Sequence, residues 1–200
     1  MERKDEILEA ASMVFKKLGF EKVTLADVAK ECGLKKTALY YYFKNKEEMF
    51  QLMFLKDFSF IREQLKQELS ENSNFLSSIK AYMIKRTKLV ADTRHYMEMF
   101  LDDSAPPNLR RFAKIQADKL IEYEVKLLVE KIEQAVEKNQ IRAIKPRPLC
   151  LIIIGVCEGL GYIMLNSNDE IDVEKEINEV IKIIAHDIDR VNKEKQCKKQ

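Results

Sequence analysis

The chain has 200 residues, 46% of them apolar, which is enough to bury a core in one helical domain or in a small domain fused to a larger one. Thirty-five basic and 33 acidic side chains nearly cancel at +2, so the overall charge does not point to nucleic acid and any basic face must be local. Five glycines and four prolines are few punctuators for this length, and no β-branched segment alternates apolar with polar residues between turn signals, which excludes a sheet-rich fold.

The first helix is expected from Ile7, where Ile7, Ala10, Ala11, Val14, Phe15 and Leu18 step by three and four until Gly19 ends the pattern. The charged start, MERKDEILEA, is unlike an export signal, so the expected location is the cytoplasm. Thr24 opens a second, short helix as N-cap, with Asp27 three residues on where a carboxylate favours the exposed first-turn amides, and Gly33 closes it. A third helix follows from about Lys36 to Phe43. Asn45 with Glu48 then caps a long fourth helix whose stripe runs through Phe50, Phe54, Phe58, Ile61, Leu65 and Leu69.

Ser70 to Asn74 breaks that stripe. Further helices are expected from about Phe75 to Ala91 and Leu109 to Val136, separated by the proline-bearing turn at Asp102 to Asn108. Pro146 and Pro148 mark another boundary. Leu149 to Asn166 forms a strongly apolar helix, and a last one starts near Asp172 with Ile177, Val180, Ile181, Ile184, Ile188 and Val191 on one face. The expected fold is all-α: an N-terminal three-helix DNA-binding domain over residues 1–46, then a larger helical ligand-binding and dimerisation domain over 47–200.

Thr24 to Phe50 places two short helices about Gly33, the pattern of a helix-turn-helix. Ala29 is small where the helices approach, Gly33 suits a left-handed turn position, and Val28, Cys32, Leu34 and Leu39 supply the inner faces. Lys36, Thr37, Ala38, Tyr40, Tyr41 and Tyr42 remain for the outer face of the second helix, whose width fits the major groove. Lys30 to Lys46 holds five lysines against Glu31 alone, concentrating phosphate-seeking charge at the motif. A charge run by itself is usually a solvated face, and aromatics in a row are usually core. Three successive helical tyrosines point about 100° apart, however, and cannot all face inward.

The same stretch resembles the DNA-binding signature of the TetR (tetracycline-repressor) family, in which a TLxDIAxxxG half precedes an LYxYFxxKEELF half. The resemblance covers the N-terminal quarter as motif and the remainder only in length, helix content and a paired hydrophobic C-terminus. It implies phosphate contacts from Thr24, Tyr41, Tyr42 and Lys46, and positions near base edges for Lys36, Thr37, Ala38 and Tyr40. Lys35 departs from the pattern: a small hydroxyl residue often caps the recognition helix there, and lysine cannot accept a backbone hydrogen bond. Lys35 is instead a candidate phosphate contact.

The resemblance also implies a homodimer formed through the last two helices and double-stranded operator DNA as partner; the middle helices are expected to enclose a pocket for a small, largely apolar effector that releases a repressor, and an effector that favours the binding-competent spacing is the competing case. One helix-turn-helix makes few base contacts, and a two-fold pair reads a palindromic site. Leu149 to Leu165 holds a single ionisable residue, Glu158, and approaches the length of a membrane span, but it is slightly too short, and Gly155, Gly159 and Gly161 thin one side for close helix contact, so no membrane partner is expected. Candidate effector contacts are Tyr82, Met83, Met97, Met99, Phe100, Phe112, Tyr123, Glu158 and Tyr162; for all but Glu158 the plain alternative is ordinary core. Glu158, in so apolar a helix, must be paired, protonated or at a cavity, and a structural acid at the dimer interface is the competing role.

No glycine-rich phosphate loop, nucleophile motif or zinc-spaced histidine and cysteine set is present, so neither enzyme, cofactor nor metal site is expected. Cys32, Cys150, Cys157 and Cys197 are scattered, consistent with free thiols. His95 and His186 stand alone. A ligand-independent DNA-binding or scaffold protein with a solid central bundle is the alternative to a sensor.

Overall fold

The computed structural model describes residues 3–71, 74–93, 105–166 and 171–197. Eight helices are present among the described residues: α1 (Arg3–Lys22), α2 (Leu25–Glu31), α3 (Lys36–Tyr42), α4 (Lys46–Glu71), α5 (Phe75–Asp92), α6 (Pro107–Glu137), α7 (Pro146–Asn166) and α8 (Val173–Cys197). The fold is all-α with an N-terminal helix-turn-helix, in agreement with the sequence reading.

Local chemistry sets most of the boundaries. Gly19 leaves helical geometry at φ 75°, as expected, but a further turn follows it and α1 runs on to Lys22. Asn139 takes φ 54° after α6, where the Gln140 amide donates to the Ala135 carbonyl and the Asn139 amide to Val136, closing the helix end in a Schellman turn. Asp172 caps α8 by accepting at Oδ1 from the Glu174 and Lys175 amides. α7 starts three residues earlier than its apolar run suggests. Pro146 and Pro148 both sit in its first turn, where a missing N–H costs no intrahelical bond.

Two compact units divide the chain. In the first, α1 to α3 join α4 through Phe60 and α6 through Leu120. Its core gathers Ile7, Ala11, Phe15, Val28, Ala29, Leu39, Phe43, Met49 and Phe50. Phe15, Phe20 and Phe50 pack ring against ring at 5.3 to 5.9 Å, and Phe54 meets Phe112 at 5.8 Å. Leu18, placed on the buried stripe by its spacing, is exposed just before the Gly19 break.

The second unit begins at Ile61 and holds the rest of α4, α5, α6 from Ile121, α7 and α8. Here α5 packs against α7 and α8. One face of α7, with Cys150, Ile153, Ile154 and Cys157, is buried, whereas Leu151, Ile152, Gly155, Gly159, Tyr162 and Ile163 lie exposed on the other. By length and composition Pro146–Met164 is apolar enough to cross a membrane. Packing within the unit accounts for its buried face, while the apolar residues of the other face stay exposed.

Candidate functional site

The helix-turn-helix is assembled by a capped start to α2 and a glycine-closed turn after it. The Asp27 amide donates to Thr24 Oγ1 at 3.3 Å, while Asp27 Oδ2 accepts from the Thr24 amide at 2.8 Å and from its hydroxyl at 2.6 Å, a reciprocal capping box. Those two donors from Thr24 hold the Asp27 carboxyl below its ordinary pKa. At the turn, Gly33 takes φ 64°, the Leu34 amide donates to the Ala29 carbonyl at 2.8 Å and the Gly33 amide to Lys30 at 3.2 Å. This Schellman closure needs the left-handed position that glycine supplies without strain.

α3 then starts at Lys35 without a side-chain cap, as its sequence implied. Leu39 is fully buried and fixes the rotation of the helix. Residues 36, 37, 40 and 41 consequently share the outward face, since i and i+4 align on a helix. Lys35, Lys36 and Thr37 are exposed, Tyr40 is 52% and Tyr41 87% exposed, and Ala38 and Tyr42 are half-buried. Tyr42 packs edge-on against Tyr41 at 5.1 Å and leans on Phe43 at 6.3 Å. The outward face therefore carries hydroxyl and ammonium donors and no carboxylate, an arrangement suited to phosphates and base edges.

Lys46 has a different setting from the other lysines. Its ammonium donates to the Phe20 carbonyl at 2.8 Å and the Glu21 carbonyl at 3.3 Å, and lies 4.4 Å from the Phe20 ring centroid. It thereby closes the end of α1 against the start of α4. At that start, Glu48 donates its amide to Asn45 Oδ1 at 2.8 Å, and its carboxylate accepts from the Lys44 amide at 2.6 Å. The expected cap is present, with the return bond falling one residue further out. Lys56 adds a second tie between the helices, donating to the Asp5 carbonyl and pairing with Glu9 at 3.1 Å.

The second unit contains a buried polar cluster. Arg86 donates from Nε to Glu124 Oε2 at 2.6 Å and from Nη2 to Glu158 Oε1 at 2.8 Å, and the Tyr82 hydroxyl donates to the same Glu124 oxygen at 2.6 Å. Arg86 and Glu124 are 3% and 0% exposed, whereas Glu158 is 43% exposed on α7. Burial works against the charge on Arg86, yet Glu124 and Glu158 outweigh it and raise its pKa. Burial and the Glu124 charge push the Tyr82 phenol well above its ordinary value, so it stays a donor.

The effector candidates thus separate. Tyr82 and Glu158 are joined through Arg86, and Met83 lies beside them, its carbonyl 3.7 Å from Cys157 Sγ. Tyr123 is half-buried with the Arg62 guanidinium 5.5 Å from its ring centroid, Tyr162 is 63% exposed, and Phe112 belongs to the first unit. Met97, Met99 and Phe100, like His95, lie outside the described residues. Arg86 and Glu124 were missed because charged residues on amphipathic helices read as solvated. The available signal was position: Arg86 continues the stripe Ile79, Tyr82, Met83, and Glu124 sits four residues before Leu128 and eight before Ile132.

Residues 7–53 match the family model described as bacterial regulatory proteins, tetR family. The HTH-type transcriptional regulator YfiR of Bacillus subtilis is 36% identical over 90 residues, 45% of this chain and 43% of that regulator, so the match spans less than half of the relative's length. Among solved structures, the fatty acid degradation regulator FadR from Bacillus halodurans superposes with a TM-score of 0.70 at 18% identity, covering 92% of this chain and 94% of that one. FadR from Bacillus subtilis, solved in complex with stearoyl-CoA, gives 0.66 at 19% identity over 88% and 95% of the two chains. The structural likeness supports the helical architecture, and the relatives are regulators rather than enzymes. With its helix-turn-helix matched by the family model and built as its sequence requires, the N-terminal region, residues 7–53, is a DNA-binding domain of the tetR family type.

Proposed function

We propose that this chain is a cytoplasmic, ligand-responsive transcriptional regulator: a repressor that binds a palindromic operator as a homodimer and is released by a small, largely apolar molecule. In this reading residues 1–46 hold the DNA and residues 47–200 sense the effector and dimerise. The observation that carries it is the outward face of α3, where Lys36, Thr37, Tyr40 and Tyr41 stand clear of the core on a helix fixed by buried Leu39. Thr24, Lys35, Ala38, Tyr42 and Lys46 complete the proposed DNA-contacting set. Two of the three N–H bonds of Lys46 are directed at α1 carbonyls, leaving one for a phosphate.

The exposed α7 stripe supports dimerisation. Leu151, Ile152, Tyr162 and Ile163 form an apolar surface around Gly155 and Gly159, and Ile183 of α8 is also exposed. Two such faces brought together would form a four-helix interface. An effector with higher affinity for a state in which the recognition helices are wrongly spaced then weakens operator binding by that difference, typically about 1 to 3 kcal/mol. The stearoyl-CoA complex of the Bacillus subtilis relative is in keeping with an effector that has an apolar body.

Sedimentation of the full chain, alone and with duplex DNA from the flanks of its own gene, tests the proposal. A dimer that binds such a duplex and loses affinity steeply with salt is the expected result. A monomer at micromolar concentration, or binding that is indifferent to salt, would overturn it.

A further inference from the structure

We propose that the cluster of Tyr82, Arg86 and Glu124 is the docking point for an effector's polar group, and that this group is uncharged and both donates and accepts a hydrogen bond: a hydroxyl or carboxamide on an apolar body. This rests on the reading of the chain as a ligand-responsive regulator.

The cluster is only partly satisfied by its own members. Nε and Nη2 of Arg86 are taken by Glu124 and Glu158, but Nη1 is buried with no hydrogen-bond partner among the described residues. Glu124 Oε2 accepts from both Arg86 and Tyr82, while Oε1 is buried with no partner. One donor and one acceptor, both removed from solvent, therefore lack hydrogen bonds in the same cluster, which is a costly arrangement unless something satisfies them. Around them the helix stripes are mostly apolar, with Ile79 and Met83 on α5 and Leu128 on α6 fully buried, although Ser78 and Thr87 of α5 are fully buried as well.

Charge selects among candidate head groups. One guanidinium faces two carboxylates, so the formal balance of the cluster is already negative. A ligand carboxylate could accept from Arg86 Nη1, but it cannot donate to Glu124 Oε1 and it adds a negative charge where solvent screening is weak. An ammonium could donate to Oε1 but has nothing to offer Nη1. A hydroxyl or a primary amide carries both functions without charge.

Calorimetric titration of the full-length chain with 1-decanol, decanamide, decanoate and decylamine tests this directly. Decanol and decanamide should bind, with decanoate and decylamine about tenfold weaker or more. Glu124→Gln removes a negative charge and lets an amide donor take the place of the open acceptor, so decanoate should gain on decanol in that variant. A role limited to packing would not move that ratio. Equal affinities across the four probes, no heat from any of them, or an unchanged decanoate to decanol ratio in Glu124→Gln would overturn the proposal, the second by leaving the cluster to buried water. The titration uses no DNA, so a chain that binds decanol but no operator keeps the site and refutes the regulator reading instead.

Discussion

Arg86 and Glu124 meet at 2.6 Å, Nε on Oε2, with almost none of either side chain exposed. Breaking such a pair and replacing it are different operations. Removal of Arg86 strands a buried carboxylate, whereas an apolar pair in its place avoids that cost. Arg86→Met should lower unfolding free energy by about 3 to 5 kcal/mol, and adding Glu124→Leu should restore most of the loss. Urea unfolding of the two variants checks this; equal destabilisation in both would mean that packing, and not the charge pair, sets the cost.

Alkaline stability follows from the buried thiols. Burial pushes Cys150 up to about 11 and Cys157 up to about 12, from an ordinary value of 9.0. Above pH 9 the unfolded chain releases these protons while the folded chain retains them, so the unfolded state gains. Stability should be intact below pH 9 and fall progressively towards pH 11 to 12. Comparing urea midpoints at pH 8 and pH 10.5 measures the slope, and Cys157→Ala should make it shallower. A slope unchanged by that substitution would remove Cys157 as its source.

Gly159 separates protomer stability from dimerisation. It is helical and exposed, and apart from its chain neighbours and its own helix backbone no described atom lies within 4 Å of where a Cβ would stand. Alanine there should stabilise the isolated protomer by up to about 1 kcal/mol through helix propensity. If α7 meets its counterpart in a second copy along the Gly155 and Gly159 face, the added methyl should nevertheless raise the dimer dissociation constant. Analytical ultracentrifugation of Gly159→Ala reads this out, and a dimer as tight as the parent's would move the interface elsewhere.

Lys36 and Lys46 should respond differently to neutralisation. Lys36→Gln is expected to weaken binding to any duplex and reduce the slope of log affinity against log salt by about 1, with no change in melting temperature. Lys46→Gln should also melt earlier, by an amount equivalent to about 1 kcal/mol, because it loses bonds to the Phe20 and Glu21 carbonyls. Salt titrations paired with thermal melts distinguish the two roles. Identical melting of both variants would argue against the Lys46 tie.

Much of this molecule was legible in its sequence because local rules set it. Thr24 with Asp27, Gly33 before Leu34, and Asn45 with Glu48 all announced helix ends that the structure contains. The stripe from Phe50 to Leu69 is buried throughout, as its spacing required. The outward face of α3 followed from Leu39 facing in. The Arg86 cluster was not legible, since its partners lie 38 and 72 residues away and no local pattern links them. Glu158 stood out only because its own helix is so apolar, which showed that it needed a partner but not which one. The tie from Lys46 to α1 was hidden for the same reason: it bridges 26 residues, and a lysine beside a DNA-binding motif reads first as a phosphate contact.

Selection from a random duplex pool by the full-length chain at moderate salt bears most directly on the central claim, that paired copies of the α3 face read DNA. The account predicts enrichment of one sequence with two inverted half-sites centred about 10 base pairs apart or a multiple of that. The enrichment should disappear in a Lys36→Gln, Tyr41→Ala double variant that melts like the parent. A pool that emerges unenriched, or an enriched site that the double variant binds equally well, would contradict it.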